Sequence, residues 1–300
     1  MLAWLWLPWQ RRPSGNVGIS KMSKARSIFQ GRFGRIALLE MNRSLVTHAH
    51  RACHVLFKAG GSDTEFKVRG QSCHLTDQTA VVVNAWEEHA YTHFCSSDDS
   101  QILALYIDPT WLGSVDRRLI VSGHAEFFPS PSVEIGRSIT EQIRHLSASM
   151  TSVDDVDRDH MEGVVFDLMV GVADAFSNRK SLSTEHNKIR SDDYRIRRAI
   201  KWLRHRAGQP LDIEAMAREA GLSRSHLFER FRKVTGLTPA MFLNTLRMEA
   251  AHPMLTDYDR PIIDVGLDLG FEAQGNFSRF FKEHQGVTPS EYRRVTQLVD

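Results

Sequence analysis

The sequence predicts a multidomain α+β chain: an N-terminal β-barrel or sandwich, an antiparallel pair of helices, and a C-terminal all-α region. Three observations predict it. Between residues 35 and 107 short β-rich runs alternate with turn residues, the pattern of a small all-β unit. From 129 to 178 apolar residues recur at helical spacing. The last hundred residues contain one short apolar pattern twice.

Residues 1–27 read as a flexible tail. The run Met1-Leu2-Ala3-Trp4-Leu5-Trp6-Leu7-Pro8-Trp9 is apolar, but it is too short to span a bilayer. With no basic residue before it, it also makes a poor signal peptide, and Met22 could equally start the chain. No membrane association is expected. Cys53, Cys73 and Cys95 occur singly, so neither a disulfide framework nor a cysteine-based zinc site is suggested, and a cytoplasmic protein is expected.

Residues 28–128 form the expected barrel, with strands over 36–41, 53–58, 65–68, 80–83, 90–95 and 101–107. Turns fall at 60–63 and 96–100, where Gly, Ser and Asp cluster. Six of the fourteen histidines lie between His48 and His93. His48, His50 and His54 share one parity, as do His89, Tyr91 and His93, so in extended segments each set projects from one face. Two such faces turned inward would make a polar pocket for a small-molecule effector, with Trp86 and Tyr91 as flat walls carrying a hydrogen-bonding edge. The opposing reading is a set of edge histidines with no common role.

The spacing His48-x-His50-x3-His54-x6-Gly61 resembles the first signature of the cupin barrels, and His89 stands where that family's last metal-binding histidine would be. His54 replaces the usual carboxylate ligand, Asn42 the usual Gly, and Asn84-Ala85-Trp86 the usual Pro-x-Gly. These departures favour an organic ligand over a metal. No metal site and no cofactor are therefore assigned.

Val133, Ile135, Ile139, Ile143 and Leu146 fit one helix of the segment 129–178, and Val164, Val165, Leu168, Met169, Val172 and Phe176 fit a second. Packing on the barrel and a dimer seam satisfy these stripes equally. The segment is read as the dimerisation element of a homodimer. Residues 179–193 have few apolar side chains and read as a linker.

In residues 194–300, Lys and Arg number 17 against 13 Asp and Glu, a balance of +4, against −2 for the rest. This mild excess is compatible with nucleic acid. A first helix runs from about residue 194 to 207 with Arg195, Arg198 and Arg204 on its exposed face. Then Ile213-x-x-Met216-Ala217-x-x-x-Gly221 precedes Leu227, Phe231, Gly236, Thr238 and Pro239. Ile262-x-x-Val265-Gly266-x-x-x-Gly270 precedes Phe277, Phe281, Gly286, Thr288 and Pro289. The offset is 49 residues in the first half and 50 in the second, so one residue is added at the turn. A helix, a Gly turn and a second helix make a helix-turn-helix, here present twice. Asp212 and Ser223 are placed as N-caps.

The predicted outward faces are Arg224, Ser225, Phe228, Glu229 and Arg232 in the first unit, and Gln274, Gly275, Ser278, Arg279 and Lys282 in the second. Gln pairs bidentately with adenine and Arg with guanine, which suits double-stranded DNA read in the major groove. Phe228 fits either a thymine methyl or burial on a neighbouring helix.

Residues 194–294 resemble the DNA-binding domain of the AraC/XylS family of transcription regulators. The resemblance is carried by 222–233 and above all by Gly270-Phe271, Phe277-Ser278-Arg279-Phe280-Phe281-Lys282, Gly286-Val287-Thr288-Pro289 and Tyr292-Arg293. It implies a homodimeric, ligand-responsive regulator, usually an activator that works with RNA polymerase. Two features depart from the pattern. Glu229 stands where Arg is common, and a carboxylate repels phosphate. Pro253 interrupts the helix expected over 240–255, where a kink or an early end is anticipated.

No nucleophile, Gly-rich phosphate loop or paired carboxylates call for an enzyme, and no catalytic residue is assigned. The histidines keep open one alternative, a metal-dependent cupin enzyme with a DNA-binding tail. The zinc-binding cysteine cluster of a DNA-alkylation repair protein is missing from this sequence.

Overall fold

The computed structural model describes residues 23–93, 99–151, 158–178 and 193–299. Nearly all of the expected linker, Cys95 and most of the expected tail lie outside them. In the N-terminal part, β1 (Lys24–Gly31), β2 (Gly34–Met41), β3 (Cys53–Gly61), β4 (Thr64–Val68), β5 (Gln71–Leu75), β6 (Thr79–Val83), β7 (His89–Thr92) and β8 (Ser100–Ile107) build two sheets. The larger also takes β9 (Ser132–Glu134) and β10 (Thr296–Val299), in the order β10-β1-β2-β8-β3-β6-β9; the smaller is β5-β4-β7.

The central strands are apolar on both faces because both faces are covered. Ile36, Leu38, Val55, Phe57, Leu103 and Leu105 pack towards the helices α2 (Arg137–Ser149) and α3 (Arg158–Phe176). Ala37, Leu39, Leu56, Ile102 and Ala104, alternating with them, pack towards the small sheet. α1 (Pro109–Val115), capped by Asp108, and a 3-10 turn connect β8 to this helical layer.

The apolar stripe of α2 and α3 therefore faces the barrel: Ile139, Ile143, Leu146, Val165, Leu168 and Met169 are buried in the barrel's own core. Two expectations are corrected. Val133 and Ile135 are not helical: Val133 pairs with Ala80 in β9 and the Ile135 N–H donates to the Gln78 carbonyl, since the extended backbone of Gly136 delays the helix to Arg137. The tail does not reach residue 27, because β1 starts at Lys24 and buries Ala25 and Ile28 against β2. Polar residues alternate through β1 and hide its pattern.

The C-terminal helices are α4 (Tyr194–His205), α5 (Ile213–Ala220), α6 (Arg224–Thr235), α7 (Pro239–Thr256), α8 (Ile262–Asp268), α9 (Gln274–Gln285) and α10 (Pro289–Val295). α5–α6 and α8–α9 are the two helix-turn-helix units. Pro253 does not end α7, which continues to Thr256 with the exposed proline in its last turn. No described helix is long and apolar enough to cross a membrane.

The two units are packed differently. The first is built on Ile196, Met216, Leu227, Phe231 and Phe242, and takes Ala49 and Trp86 of the N-terminal part into the same cluster. The second shares one apolar cluster with the barrel, in which Val265, Phe277, Phe281 and Tyr292 join Leu39, Leu56, Val83 and Tyr106. β10 extends this union by pairing in parallel with β1, Ile28 opposite Thr296.

Candidate nucleic-acid interface and the adjoining histidine cluster

Each unit is shaped by local chemistry. In the first, Asp212 Oδ1 accepts from the Ala215 N–H at 2.8 Å, and Gly221 closes α5 at φ 65°, a left-handed conformation that suits glycine. The Ser223 hydroxyl then caps α6, accepting from the His226 N–H at 3.4 Å. In the second, Gly266 lets α8 approach α9 closely, since a Cβ there would sit 3.0 Å from the Phe277 Cβ.

The outward faces are as expected from the pattern. Leu227, Phe231, Phe277 and Phe281 are buried, while Arg224, Ser225, Glu229, Arg232, Gln274, Gly275 and Arg279 are exposed; Phe228, Ser278 and Lys282 are half-buried. Arg224 is bound to Glu214 at 2.9 Å, and Arg232 lies 3.9 Å from Glu88 of the barrel. The first pair is exposed and the second half-exposed and long, so both contribute little to stability. Gly275, in the first turn of α9, meets nothing a Cβ would touch, so no packing need explains it.

The histidines of the barrel converge. His48 and His89 exchange backbone hydrogen bonds at 2.9 and 2.8 Å, which joins the 45–50 segment to β7. His50 lies with its ring 4.8 Å from that of His48, 5.1 Å from His89 and 5.0 Å from His54. His54 stacks on Tyr106 at 4.1 Å, and its Nδ1 is 3.1 Å from Nε2 of His89. Burial, then mutual repulsion, holds His48, His50 and His54 well below the ordinary imidazole pKa; burial alone takes His89 down to about 4. The rings are neutral at physiological pH.

Tyr91 lines the interior beside this cluster, but the space enclosed there is about 20 Å3, enough for a water and far short of an organic ligand. His93 is half-buried, its Nδ1 3.4 Å from the Tyr91 hydroxyl. Trp86 stands apart from the cluster: at φ 62°, unusual for a bulky residue, it stacks on Phe242 of α7 at 4.7 Å.

Three residues that the sequence did not single out belong here. Arg35 is buried with its guanidinium 4.0 Å over the Tyr106 ring and its Nε unpartnered. His284, in the last turn of α9, has its ring 6.1 Å from His48. Tyr106 carried a visible signal, the inward parity of β8. Arg35 and His284 had none, since their neighbours are remote in the chain.

Comparison with known proteins bears on both halves. A family described as "Helix-turn-helix domain" matches residues 216–295. The regulatory protein SoxS of Salmonella typhimurium is 37% identical over 98 residues, covering 33% of this chain and 92% of SoxS. The transcriptional regulator Rob of the same organism is 34% identical over 102 residues, 34% of this chain and 35% of Rob. Among solved structures, an apo point variant of ToxT from Vibrio cholerae matches 87% of this chain and 96% of its own, with a TM-score of 0.52 at 13% identity, a likeness of fold. Two capped helix-turn-helix units with exposed polar faces, and a match over nearly the whole of SoxS, lead to one conclusion: the chain belongs to the AraC/XylS family of DNA-binding transcription regulators.

Proposed function

We propose that this protein is a ligand-responsive transcription activator of the cytoplasm that reads the major groove as a homodimer. The observation that carries the reading is the outer face of α9, where exposed Gln274 and Arg279 flank half-buried Ser278 over a core face anchored by Phe277 and Phe281. Gln and Arg in the first two turns of a recognition helix are placed for base edges, and bare Gly275 allows close approach of the backbone. In the first unit Arg224, Ser225, Phe228, Glu229 and Arg232 supply the second contact.

The effector is read at the cluster of His48, His50, His54 and His89, with Tyr91 and His93 beside it. Trp86 carries the response to the first unit through Phe242. The effector must bind two arrangements with different affinity, or nothing is switched. Dimerisation through α2 and α3 would use their outer faces, beside Gln142 and His145, since their apolar stripe is buried on the barrel. Exposed Ile263 and Leu267, one turn apart on α8, offer an apolar contact for RNA polymerase.

Footprinting on the protein's own flanking promoter tests the reading, with Arg279→Ala as control. A protected sequence lost in the variant supports it; salt-sensitive binding without sequence preference would overturn it.

A further inference from the structure

Three imidazoles meet where the barrel abuts the second recognition helix. His48, His50 and His89 are all buried, and each offers a ring nitrogen within 4.8 Å of the others. Two of the three have their tautomer set by the backbone. Nδ1 of His48 donates to the Val46 carbonyl at 2.7 Å and Nδ1 of His89 to the Glu87 carbonyl at 3.0 Å, so each keeps a lone pair on Nε2. A backbone carbonyl on the far nitrogen is how proteins orient metal-binding imidazoles.

His50 supplies an independent observation. Both of its ring nitrogens lack a hydrogen-bond partner, although the side chain is only 4% exposed. A neutral imidazole has one N–H and one lone pair, and burying both bare is costly unless something binds there. His54 is a further case, with its Nε2 unpartnered. The nearby space of about 20 Å3, lined by His48, His54 and His89 but not by His50, is too small for an organic molecule.

We propose that His48, His50 and His89 hold one divalent transition-metal ion, and that this ion is the effector of the regulator. The inference rests on the reading of the chain as a ligand-responsive transcription regulator. A set of neutral imidazoles without a carboxylate selects zinc, nickel or copper over magnesium or calcium. Arg35, stacked on Tyr106 nearby, carries a positive charge that opposes any cation here and has to be outweighed by the imidazole donors. Binding at Nε2 of His89 displaces the contact with His54 Nδ1 and frees that ring to act as a fourth ligand.

The site is joined to the DNA-reading helix. The Val46 N–H, two residues before His48, donates to the Glu283 carbonyl of α9 at 3.2 Å. His48 faces His284, and a Cβ on Gly286 would lie 3.1 Å from the Met41 methyl. An ion that fixes the 45–50 segment therefore fixes the C-terminal end of the helix carrying Gln274 and Arg279.

The full chain, stripped with a chelator, is titrated with Zn2+ by calorimetry and with Co2+ by visible absorption. One ion per chain is expected, with the Co2+ bands of a four-coordinate site. His50→Gln and His89→Gln should weaken binding by more than about 100-fold, the upper range for losing an outer partner, while His74→Gln, exposed on β5, does not. Wild-type protein that takes up less than stoichiometric metal overturns the site whether or not the variants fold. Equal affinity in folded His50→Gln and His89→Gln does the same.

Band-shift assays on the protein's own promoter with and without Zn2+ then test the effector role. A change of DNA affinity of about 5- to 150-fold is expected. Stoichiometric metal without such a change overturns that role. Failure to bind any specific DNA in either state instead overturns the regulator reading and leaves the calorimetry to judge the ion site.

Discussion

At the scale of the residue, Arg279 is the most specific wager in the chain. It is exposed on α9, and if it pairs bidentately with a guanine, Arg279→Ala should cost about 1–3 kcal/mol of specific DNA binding and relax preference at one base position. Competition with single-base operator variants checks this; a uniform loss across sequences would make Arg279 a phosphate contact. His252 offers a test through pH. It is buried in α7 with Nε2 3.2 Å from Oε1 of Gln285, between Phe281 and Tyr292, and burial followed by the charge of Arg35 holds its pKa well below 6.5. The folded chain therefore refuses a proton that the unfolded chain accepts. Its stabilising contribution is whole above pH 6.5 and is lost as pH falls below that value. His252→Gln should make the acid limb of a stability–pH curve shallower by up to about 1.4 kcal/mol per pH unit, measured by urea unfolding. An unchanged slope would mean that His252 is already protonated in the fold. The inward parity of His48, His50, His54 and His89 was legible because a strand-like segment alternates its side chains; the part of Trp86 was not, because it depends on a left-handed backbone and on Phe242, far along the chain.

Elements show where local signals suffice and where they fail. The caps Asp212 and Ser223 and the Gly221 turn mark the first unit within a residue or two, since each satisfies backbone groups of its own helix. Pro253 was expected to kink or end α7, yet the helix carries on for one turn. Buried Met248, Ala251 and Leu255 hold that turn in the core shared with the barrel, so tertiary packing outweighs the lost backbone bond. Pro253→Ala, which restores the donor at an exposed position, should raise stability by about 0.5–2 kcal/mol and leave DNA binding unchanged, as thermal melting and a band shift would show. β9 and β10 were missed because a strand of three or four residues has too little alternation to register; pairing with β6 and β1 creates them.

For the whole molecule, the decisive feature is that the second helix-turn-helix unit and the barrel share one extensive apolar cluster, while the first unit's cluster takes in Ala49 and Trp86 from the N-terminal part. Phe281→Ala, deep in the shared cluster, should cost about 3–5 kcal/mol and loosen the barrel as well as the second unit. Hydrogen exchange checks this: amides of β2 should lose protection together with those of α9, and loss confined to α9 would show that the two fold independently. Sequence alone determined the α+β class, the order of β-rich part, helix pair and paired helix-turn-helix units, and the buried face of both recognition helices, while Phe228, Ser278 and Lys282 on the expected outward face are half-buried. Those follow from periodicity, caps and turns, which act over a few residues. Only the tertiary structure decided that the stripe of α2 and α3 faces the barrel, that the histidines close on a space too small for an organic ligand, and that His48 meets His284. Such contacts join residues up to some 240 positions apart in the chain, and no local pattern encodes which apolar face will bury against which.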